Sequence, residues 1–394
     1  MTLLPRLKWK KPPKCEVLQF GGTQITGFQS LQNEFSIQNM PLVTEEVNVF
    51  VLLHSLLRLK LSRWSYYSSF CSLSQSKVVI VWHDTNIHAY SLKRTLKIPI
   101  VCVQNGLRHN VGPASGTGFL SALETLSSSI SPHVDDYWIF GEASQQLLQS
   151  SIKARYHIHG SFRANEYAAM RQTLVPNSEK RRIGFIVSFP NASDVPGGYI
   201  LNNPAPFFQF NGSVISYHEW FKFDEIVCRA VSQIADECSL DCAVIAKRHG
   251  KDTLESHYFS KALERQRIPV IGHEKGAGYE LADSFDYLVA TESTLGYEML
   301  GLGSRVAFVS GRLLNIGIET SELRFGWPLE LPTHGPFWTT STNGDEIVNF
   351  LRQFLKLDNS VWQTSVSDIA TRVMAVDRGN SALRRNIAAY VGHN

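Results

Sequence analysis

The sequence has few cysteines, no long hydrophobic run and almost no excess of either charge, and each absence excludes a class of protein. Its six cysteines include no Cys-x-x-Cys pair, which argues against a zinc site or a disulfide framework. No stretch approaches the roughly 18 apolar residues of a membrane-spanning helix, and no signal-peptide core follows the basic N-terminus. A net charge of only +3 argues against nucleic-acid binding. We therefore expect a cytoplasmic protein with no metal, no cofactor and no nucleic-acid partner.

The familiar sequence signatures of nucleotide and ester chemistry are also missing. No Gly-x-Gly-x-x-Gly follows the first predicted strand, which disfavours a dinucleotide-dependent oxidoreductase. There is no P-loop, and no Gly-x-Ser-x-Gly elbow of the kind that α/β-hydrolases carry. A nucleotide site in this chain would therefore have to be built in another way.

The N-terminus itself is basic. Such a segment can hold a protein to an anionic membrane surface at about 1 kcal/mol per charge, although a solvated tail is the simpler interpretation. We keep peripheral association with the inner face of the cytoplasmic membrane as a second hypothesis. The basic residues are Arg6, Lys8, Lys10, Lys11 and Lys14.

The chain of 394 residues, 43% of them hydrophobic, is long enough for two cores, because single cores stop growing at roughly 250–300 residues. Short apolar runs alternate with amphipathic stretches, which is typical of βαβ units and parallel sheets. We predict two doubly wound α/β domains, at 1–175 and 176–335, that face a cleft, with C-terminal helices at 336–394 packing across their interface. The predicted strands are 17–20, 47–52, 77–82, 98–104, 137–140, 156–159, 183–188, 242–247, 269–271, 287–290 and 305–309.

The most informative segment, 286–310, is a predicted strand, a polar turn, a helix and a second strand. Ser293 or Thr294 can cap the helix, and the backbone N–H groups of Leu295 and Gly296 can bind a phosphate beside it. Gly296 would let the backbone approach that phosphate closely. Glu298, in the first turn, could then accept hydrogen bonds from a ribose. An ordinary helix cap with dipole complementation explains the same residues.

A basic turn follows another predicted strand of the second domain. Lys247, Arg248 and His249 would lie at the same edge of the sheet, where they could complete a phosphate site. Arginine offers a bidentate fork to phosphate, and His249 could donate to an oxygen of the leaving nucleotide as a catalytic residue. The alternative is a solvated basic loop.

Polar residues also follow two strands of the first domain. Asp84 could take a proton from an acceptor hydroxyl as the catalytic carboxylate, although such an aspartate is more often a turn or helix cap. Glu142 and Asp194, which also follow predicted strands, are rivals for that role. The residues predicted to bind the acceptor are His83, Asn86, Gln104, Asn105, Arg108 and Glu142.

These motifs together resemble the family of bacterial surface carbohydrate biosynthesis proteins, which are similar to GT-B glycosyltransferases acting on lipopolysaccharide or capsule. The resemblance spans about residues 78–310 and is most specific in VQNGLR and ESTLGYE. The matching segments, in order, are WHDTN (82–86), VQNGLR (103–108), YWIFGE (137–142), GSFR (160–163), AKR (246–248) and ESTLGYE (292–298).

More distantly, the basic turn followed by a Ser/Thr pair resembles the phosphate-binding pair of CMP-sugar transferases, including sialyl- and Kdo-transferases. Those enzymes carry His-Pro where this chain has His249 followed by Gly250. The same layout is similar to enzymes that polymerise polyol phosphates from CDP-glycerol.

The resemblance implies a metal-independent GT-B glycosyltransferase, with a CMP-sugar such as CMP-Kdo as donor and a glycan or glycolipid as acceptor. The donor phosphate would sit at 293–296, and Arg248 with His249 would neutralise the leaving group. A CDP-glycerol-type polyol phosphate transferase and a non-catalytic subunit that binds nucleotide-sugar or glycan are the alternatives.

Overall fold

The fold is known from a computed structural model, which describes residues 5–58, 62–111, 118–171, 181–187, 206–210, 213–246, 259, 268–272 and 278–393. Two compact units make up the chain. The first unit combines Met1–Gly106, Phe119–Ala169 and Asp377–Asn394, and the second combines Leu107–Gly118 with Met170–Val376. The predicted boundary at 175/176 lies outside the described residues. The short segment after Gly106 is grouped with the second unit, and the chain returns to the first unit at its C-terminus.

The strands and helices alternate along most of the described chain. The strands are β1 (Arg6–Lys8), β2 (Val17–Phe20), β3 (Ile37–Met40), β4 (Glu46–Asn48), β5 (Val78–Val81), β6 (Ile100–Val103), β7 (His133–Ile139), β8 (Lys153–Ile158), β9 (Arg182–Ile186), β10 (Pro206–Phe210), β11 (Ser213–Ser216), β12 (Asp241–Ala246), β13 (Val270–Gly272), β14 (Tyr287–Ala290), β15 (Val306–Val309), β16 (His334–Gly335) and β17 (Trp338–Thr339). The helices are α1 (Val49–Leu57), α2 (Arg63–Ser74), α3 (Phe119–Ser127), α4 (Glu142–Leu148), α5 (Phe162–Met170), α6 (Tyr217–Cys238), α7 (Gly278–Asp283), α8 (Thr294–Gly301), α9 (Arg312–Asn315), α10 (Gly344–Leu355), α11 (Asn359–Val373) and α12 (Ser381–Val391). Single 3-10 turns occupy Gln29–Asn33, Ile87–Arg94 and Arg378–Asn380.

The described part of the first unit contains a six-stranded sheet in the order β3-β2-β5-β6-β7-β8, and every neighbouring pair is parallel. β2, β5 and β6 are buried along their whole length, as strands covered by helices on both faces must be. Leu383 and Ile387 of α12 belong to the same apolar core as Val17 and Ile80. This packing explains why the C-terminal residues belong to the first unit.

The second unit is built around a seven-stranded sheet within the described residues, ordered β13-β12-β9-β14-β15-β17-β16. All its pairs are parallel except the short β16–β17 pair at one edge. Helices α10 and α11 belong to this unit. Two mainly parallel sheets with helices between their strands confirm the predicted α/β class and its two Rossmann-like units.

One predicted strand is wrong. The apolar run at 47–52 contains only the end of β4, and from Val49 onward it forms α1. The Asn48 side chain accepts a hydrogen bond from the Val51 N–H and so starts the helix. Leucine and valine in a short run are compatible with either state, and this cap decides between them.

No helix among the described residues is both long and apolar enough to cross a membrane.

Candidate functional site

The turn between β14 and α8 lies at the carboxyl end of a fully buried strand, where open α/β sheets bind their ligands. Ser293 occupies the N-cap position of α8 with extended backbone angles, yet its side chain makes no capping hydrogen bond. The N–H groups of Thr294 and Leu295 have no acceptor among the residues that the structure describes. A hydroxyl and the first helical N–H groups are therefore available to an anion.

Ser216, at the start of α6 in the same unit, differs from Ser293 because it does cap its helix. Its hydroxyl accepts from the Glu219 N–H at 3.2 Å, and the Glu219 carboxylate accepts from the Ser216 N–H at 2.8 Å. This is a complete capping box, in which the serine is used structurally. Ser293 has no such partner, so the helix-cap interpretation of its side chain does not apply.

Gly296 is explained by packing rather than by the approach of a phosphate. A Cβ at this position would lie 2.6 Å from the Ala290 Cβ and 3.3 Å from a ring carbon of Phe308. Glycine is therefore required for α8 to lie against β14 and β15. Glu298, on the next turn, is only 8% exposed, and its predicted contact with a ribose stays a prediction.

Behind the turn, a buried arginine binds two carboxylates. Arg312 is 1% exposed, and its guanidinium donates to Asp224 Oδ2 at 2.5 Å and to Asp224 Oδ1 at 3.0 Å. The same group donates to the Trp220 carbonyl at 2.7 Å and to Thr291 Oγ1 at 3.3 Å. Glu292 Oε1 lies 2.6 Å from Arg312 Nε. Because Glu292 directly precedes Ser293, this ion cluster fixes the start of the turn.

Burial governs the protonation of this cluster. It raises the pKa of Asp224 to about 6, against the opposing effect of the Arg312 guanidinium. Burial alone would lower the pKa of Arg312, but the carboxylates of Asp224 and Glu292 outweigh it and raise that pKa. Arg312 is therefore a permanent cation in the interior of the second unit.

The segment 107–111, which continues the predicted VQNGLR motif, reaches the same region of the second unit. Glu322 Oε2 accepts the backbone N–H groups of Asn110 at 2.6 Å and Val111 at 3.2 Å. His109 is 8% exposed, and its Nδ1 has no hydrogen-bond partner among the described residues. Burial lowers the pKa of His109, and the carboxylates of Glu292 and Glu322 oppose that shift. A neutral imidazole with an unpaired nitrogen therefore lies close to the residue that precedes Ser293.

In the first unit, the structure brings Asp84 and the end of β6 together. Asp84 is fully buried, and its Oδ1 accepts from the Asn105 N–H at 3.3 Å. Its Oδ2 accepts from the Tyr137 hydroxyl at 2.9 Å, and Tyr90 donates to its backbone carbonyl at 2.7 Å. Asp84 thus holds the carboxyl ends of neighbouring strands together, and its catalytic role stays a prediction.

The other predicted acceptor residues of this edge differ in exposure. Gln104 is buried and bridges two strand ends, since Nε2 donates to the Gly106 carbonyl and Oε1 accepts from the Phe140 N–H. The Asn86 side chain accepts from the His88 N–H and starts a 3-10 turn. His83 and Glu142 are exposed. Arg108 is buried in the second unit, where its Nη1 donates to the Leu107 carbonyl.

Four predicted site residues lie outside the described part of the chain: Lys247, Arg248, His249 and Asp194. Their roles stay predictions.

Sequence reasoning missed several residues of this region. Arg312 is the third residue after the buried strand β15. Polar residues that follow a strand so closely are the pattern on which the other site residues were predicted. Asp224 was also detectable, because it lies on the apolar side of α6 between Phe223 and Val227. Nothing in the sequence around Glu322 predicts that its carboxylate accepts hydrogen bonds from a distant backbone segment.

The fold that contains the site is similar to those of several solved structures. An S. aureus MnaA–UDP structure matches with a TM-score of 0.52 and 13% identity, covering 96% of this chain and 98% of that one. The wall teichoic acid polymerase TagF matches with a TM-score of 0.50 and 13% identity, covering 98% and 90%. A "putative UDP-N-acetylglucosamine 2-epimerase" from Listeria monocytogenes matches with a TM-score of 0.52 and 12% identity, covering 97% and 98%. At such identities these matches show the fold alone, a GT-B fold.

A protein family is identified by sequence. The profile of a family described as "putative O-antigen biosynthesis protein" matches residues 101–390, which is most of the chain. The chain belongs to this family, and the predicted relation to surface carbohydrate biosynthesis is confirmed. A comparison with curated protein sequences gave no match.

Proposed function

We propose that this chain is a glycosyltransferase that moves a sugar from a nucleotide-activated donor to a surface polysaccharide or lipopolysaccharide acceptor. A CMP-sugar such as CMP-Kdo is the proposed donor, because the basic turn and the Ser/Thr pair resemble those of CMP-sugar transferases. The observation that carries the proposal is the N-cap of α8, where Ser293 makes no capping bond and two N–H groups find no acceptor in the described part of the chain. The donor phosphate binds there.

The residues around this turn have separate roles in the proposal. Glu292, held by Arg312, orients the turn, and Glu298 binds the ribose. The predicted donors to the phosphate oxygens are Arg248 and His249, and the buried imidazole of His109 lies near Glu292 in the same unit. These donors take the place of the metal ion that other transferases use, so transfer proceeds in the presence of EDTA.

Two carboxylates at one strand edge of the first unit compete for the role of base. Asp84 is buried behind Tyr137 and Asn105, whereas Glu142 is exposed in the first turn of α4. We keep Asp84 as the proposed base and use Glu142→Gln as its comparison. If Glu142→Gln abolishes transfer and Asp84→Asn does not, the roles are reversed.

The donor is tested by thermal unfolding in the presence of CMP, CDP-glycerol, UDP and UDP-N-acetylglucosamine. A ligand present at 100 times its Kd stabilises the folded state by about 2.7 kcal/mol. We expect stabilisation by CMP that Ser293→Ala combined with Thr294→Val removes. Ser216→Ala is the matched control, because it deletes a capping serine of the same unit and leaves the nucleotide effect unchanged.

Product analysis separates the rival activities. Release of CMP from CMP-sugars in the presence of acceptor supports sugar transfer. Release of CMP from CDP-glycerol alone would establish the polyol phosphate transferase instead. Conversion of UDP-N-acetylglucosamine without acceptor would identify an epimerase. Normal polymer synthesis in cells that carry Asp84→Asn with Glu142→Gln would identify a non-catalytic subunit.

A further inference from the structure

Helix α1 exposes large apolar side chains to solvent. Its nine residues, VFVLLHSLL, include no Asp, Glu, Lys or Arg, and only Val51 and Ser55 are buried. Leu57 is 85% exposed, which is unusual for a leucine in a helix of a folded unit. The exposed members, which we call the α1 face, are Phe50, Leu52, Leu53, Leu56 and Leu57.

Two more exposed apolar residues lie nearby, Leu7 on β1 and Trp9 directly after that strand. Leu7 is 62% exposed and Trp9 is 68% exposed. β1 pairs in parallel with β4, and β4 runs directly into α1. The Asn48 side chain fixes this junction, since its Nδ2 donates to the Lys10 carbonyl at 2.7 Å while its Oδ1 caps α1. Leu7 and Trp9 are therefore held beside the start of the α1 face.

The surroundings of this apolar surface are strongly basic. Within 5–14 and 45–63, the described residues include seven cations and two carboxylates. One carboxylate, Glu46, is paired with Lys8 at 3.2 Å. The cations, all exposed, are Arg6, Lys8, Lys10, Lys11, Lys14, Arg58 and Arg63.

We propose that the α1 face, with Leu7, Trp9 and the surrounding cations, docks on the surface of an anionic lipid bilayer. Apolar side chains on a short helix can enter the boundary between headgroups and acyl chains, and tryptophan favours the same depth. The cations then lie at the level of the anionic headgroups, each contributing about 1 kcal/mol. A second copy of this chain fits poorly, because a two-fold contact would bring the same cations together.

Docking on a bilayer would give the proposed transferase a membrane partner, but the docking proposal does not depend on the transferase activity. A transferase whose acceptor is a glycolipid would meet that acceptor at the bilayer. Docking itself requires neither a donor nor an acceptor, so vesicle binding and nucleotide binding can fail separately.

The experiment is flotation of the full chain with vesicles of phosphatidylcholine, with or without phosphatidylglycerol. We expect binding to the anionic vesicles that weakens as salt is raised, because exposed charges are screened. Leu53→Gln with Leu57→Gln should reduce binding by at least about tenfold. Each substitution removes the favourable free energy of moving an apolar side chain from water into the bilayer. Val361→Gln, at an exposed valine of α11, is the matched control and should bind as the parent does.

The charges are tested in the same assay. Lys10→Gln, Lys11→Gln and Lys14→Gln together should weaken binding on the order of a hundredfold. The control removes three exposed cations elsewhere in the first unit, by Arg94→Gln, Lys97→Gln and Lys153→Gln, and should have a much smaller effect. Unchanged thermal unfolding and unchanged CMP stabilisation show that the variants are folded and that the nucleotide site is intact.

Two results would overturn the proposal. One is equal binding of the parent and the leucine variant to anionic vesicles. The other is the absence of vesicle binding together with a dimer in light scattering that Leu53→Gln with Leu57→Gln dissociates, which would assign the α1 face to a second copy.

Discussion

Glu322 Oε2 lies 2.6 Å from the backbone nitrogen of Asn110, although 212 positions separate the two residues in the chain. The same oxygen also accepts the next N–H, from Val111. A carboxylate thus holds the segment that carries His109 in the second unit, close to Glu292. The contact thus holds the residues that directly follow the VQNGLR motif in the unit that contains the ESTLGYE motif.

Replacing Glu322 should loosen that segment. Glu322→Ala removes two charge-assisted hydrogen bonds and should lower the free energy of unfolding by about 2 kcal/mol in urea titrations. Glu322→Gln should cost less, because its amide oxygen can still accept. Glu319→Ala, at an exposed neighbour, is the control and should stay within about 0.5 kcal/mol of the parent. Equal losses for Glu322→Ala and Glu319→Ala would show that the contact contributes nothing.

Arg312 should be essential to the interior of the second unit. Arg312→Met leaves the buried carboxylate of Asp224 without its partner, which should cost about 3–5 kcal/mol of stability. Adding Asp224→Leu removes the unpaired charge and should recover part of the loss. Denaturant unfolding of both variants measures the loss of stability and its partial recovery. A double variant no more stable than Arg312→Met would mean that the pairing with Asp224 does not explain the loss.

The packing of α8 provides a third test. Gly296→Ala places a methyl group 2.6 Å from the Ala290 Cβ and should destabilise the protein by about 1–3 kcal/mol, because the core is overfilled. Gly344→Ala is the matched control, since the nearest atom to its new methyl group is 3.9 Å away. Thermal unfolding should separate the two variants clearly, and similar midpoints would contradict the packing argument.

The sequence predicted the sheets more fully than the contacts between their loops. Buried apolar runs such as that of β5 identify strands, and the polar residues after them identify the edge where Asp84 and Asn105 meet. Local pattern distinguishes Ser216, which completes a capping box, from Ser293, which caps nothing, although the prediction for Ser293 did not use that difference. That difference depends on whether a partner such as Glu219 lies one turn later.

Contacts between distant segments, and exposure itself, could not be predicted in the same way. The bonds from Asn110 and Val111 to Glu322 join segments that share no periodicity. The apolar run at 47–52 resembled a buried strand, because hydropathy predicts burial, whereas Phe50 and Leu52 of that run are exposed on α1. Exposed leucines become visible only when the fold is known.

The last prediction concerns the pH dependence of the first unit. His159 is 1% exposed, with Nδ1 placed 3.2 Å from the Gly160 carbonyl and Nε2 placed 3.3 Å from Asn165 Nδ2. These two bonds require a neutral ring with its proton on Nδ1. Burial lowers the pKa of His159 from 6.5 to about 4, and the Asp377 carboxylate 3.5 Å away only partly opposes the shift.

Because the folded-state pKa lies below the unfolded value, the stabilisation is complete above pH 6.5 and is lost as the pH falls from 6.5 towards 4. The contribution of His159 to this loss should be about 3 kcal/mol. It is measured as the difference between the parent and His159→Gln, whose side chain no longer titrates, in how the free energy of urea unfolding changes across that range. His83→Gln, at an exposed histidine, should leave the pH dependence unchanged. Asp224, whose pKa burial raises to about 6, titrates in the same range with the opposite effect on stability, so the test is the comparison with the variant. The same pH dependence in the parent and in His159→Gln would contradict the assignment of His159 as a buried neutral histidine.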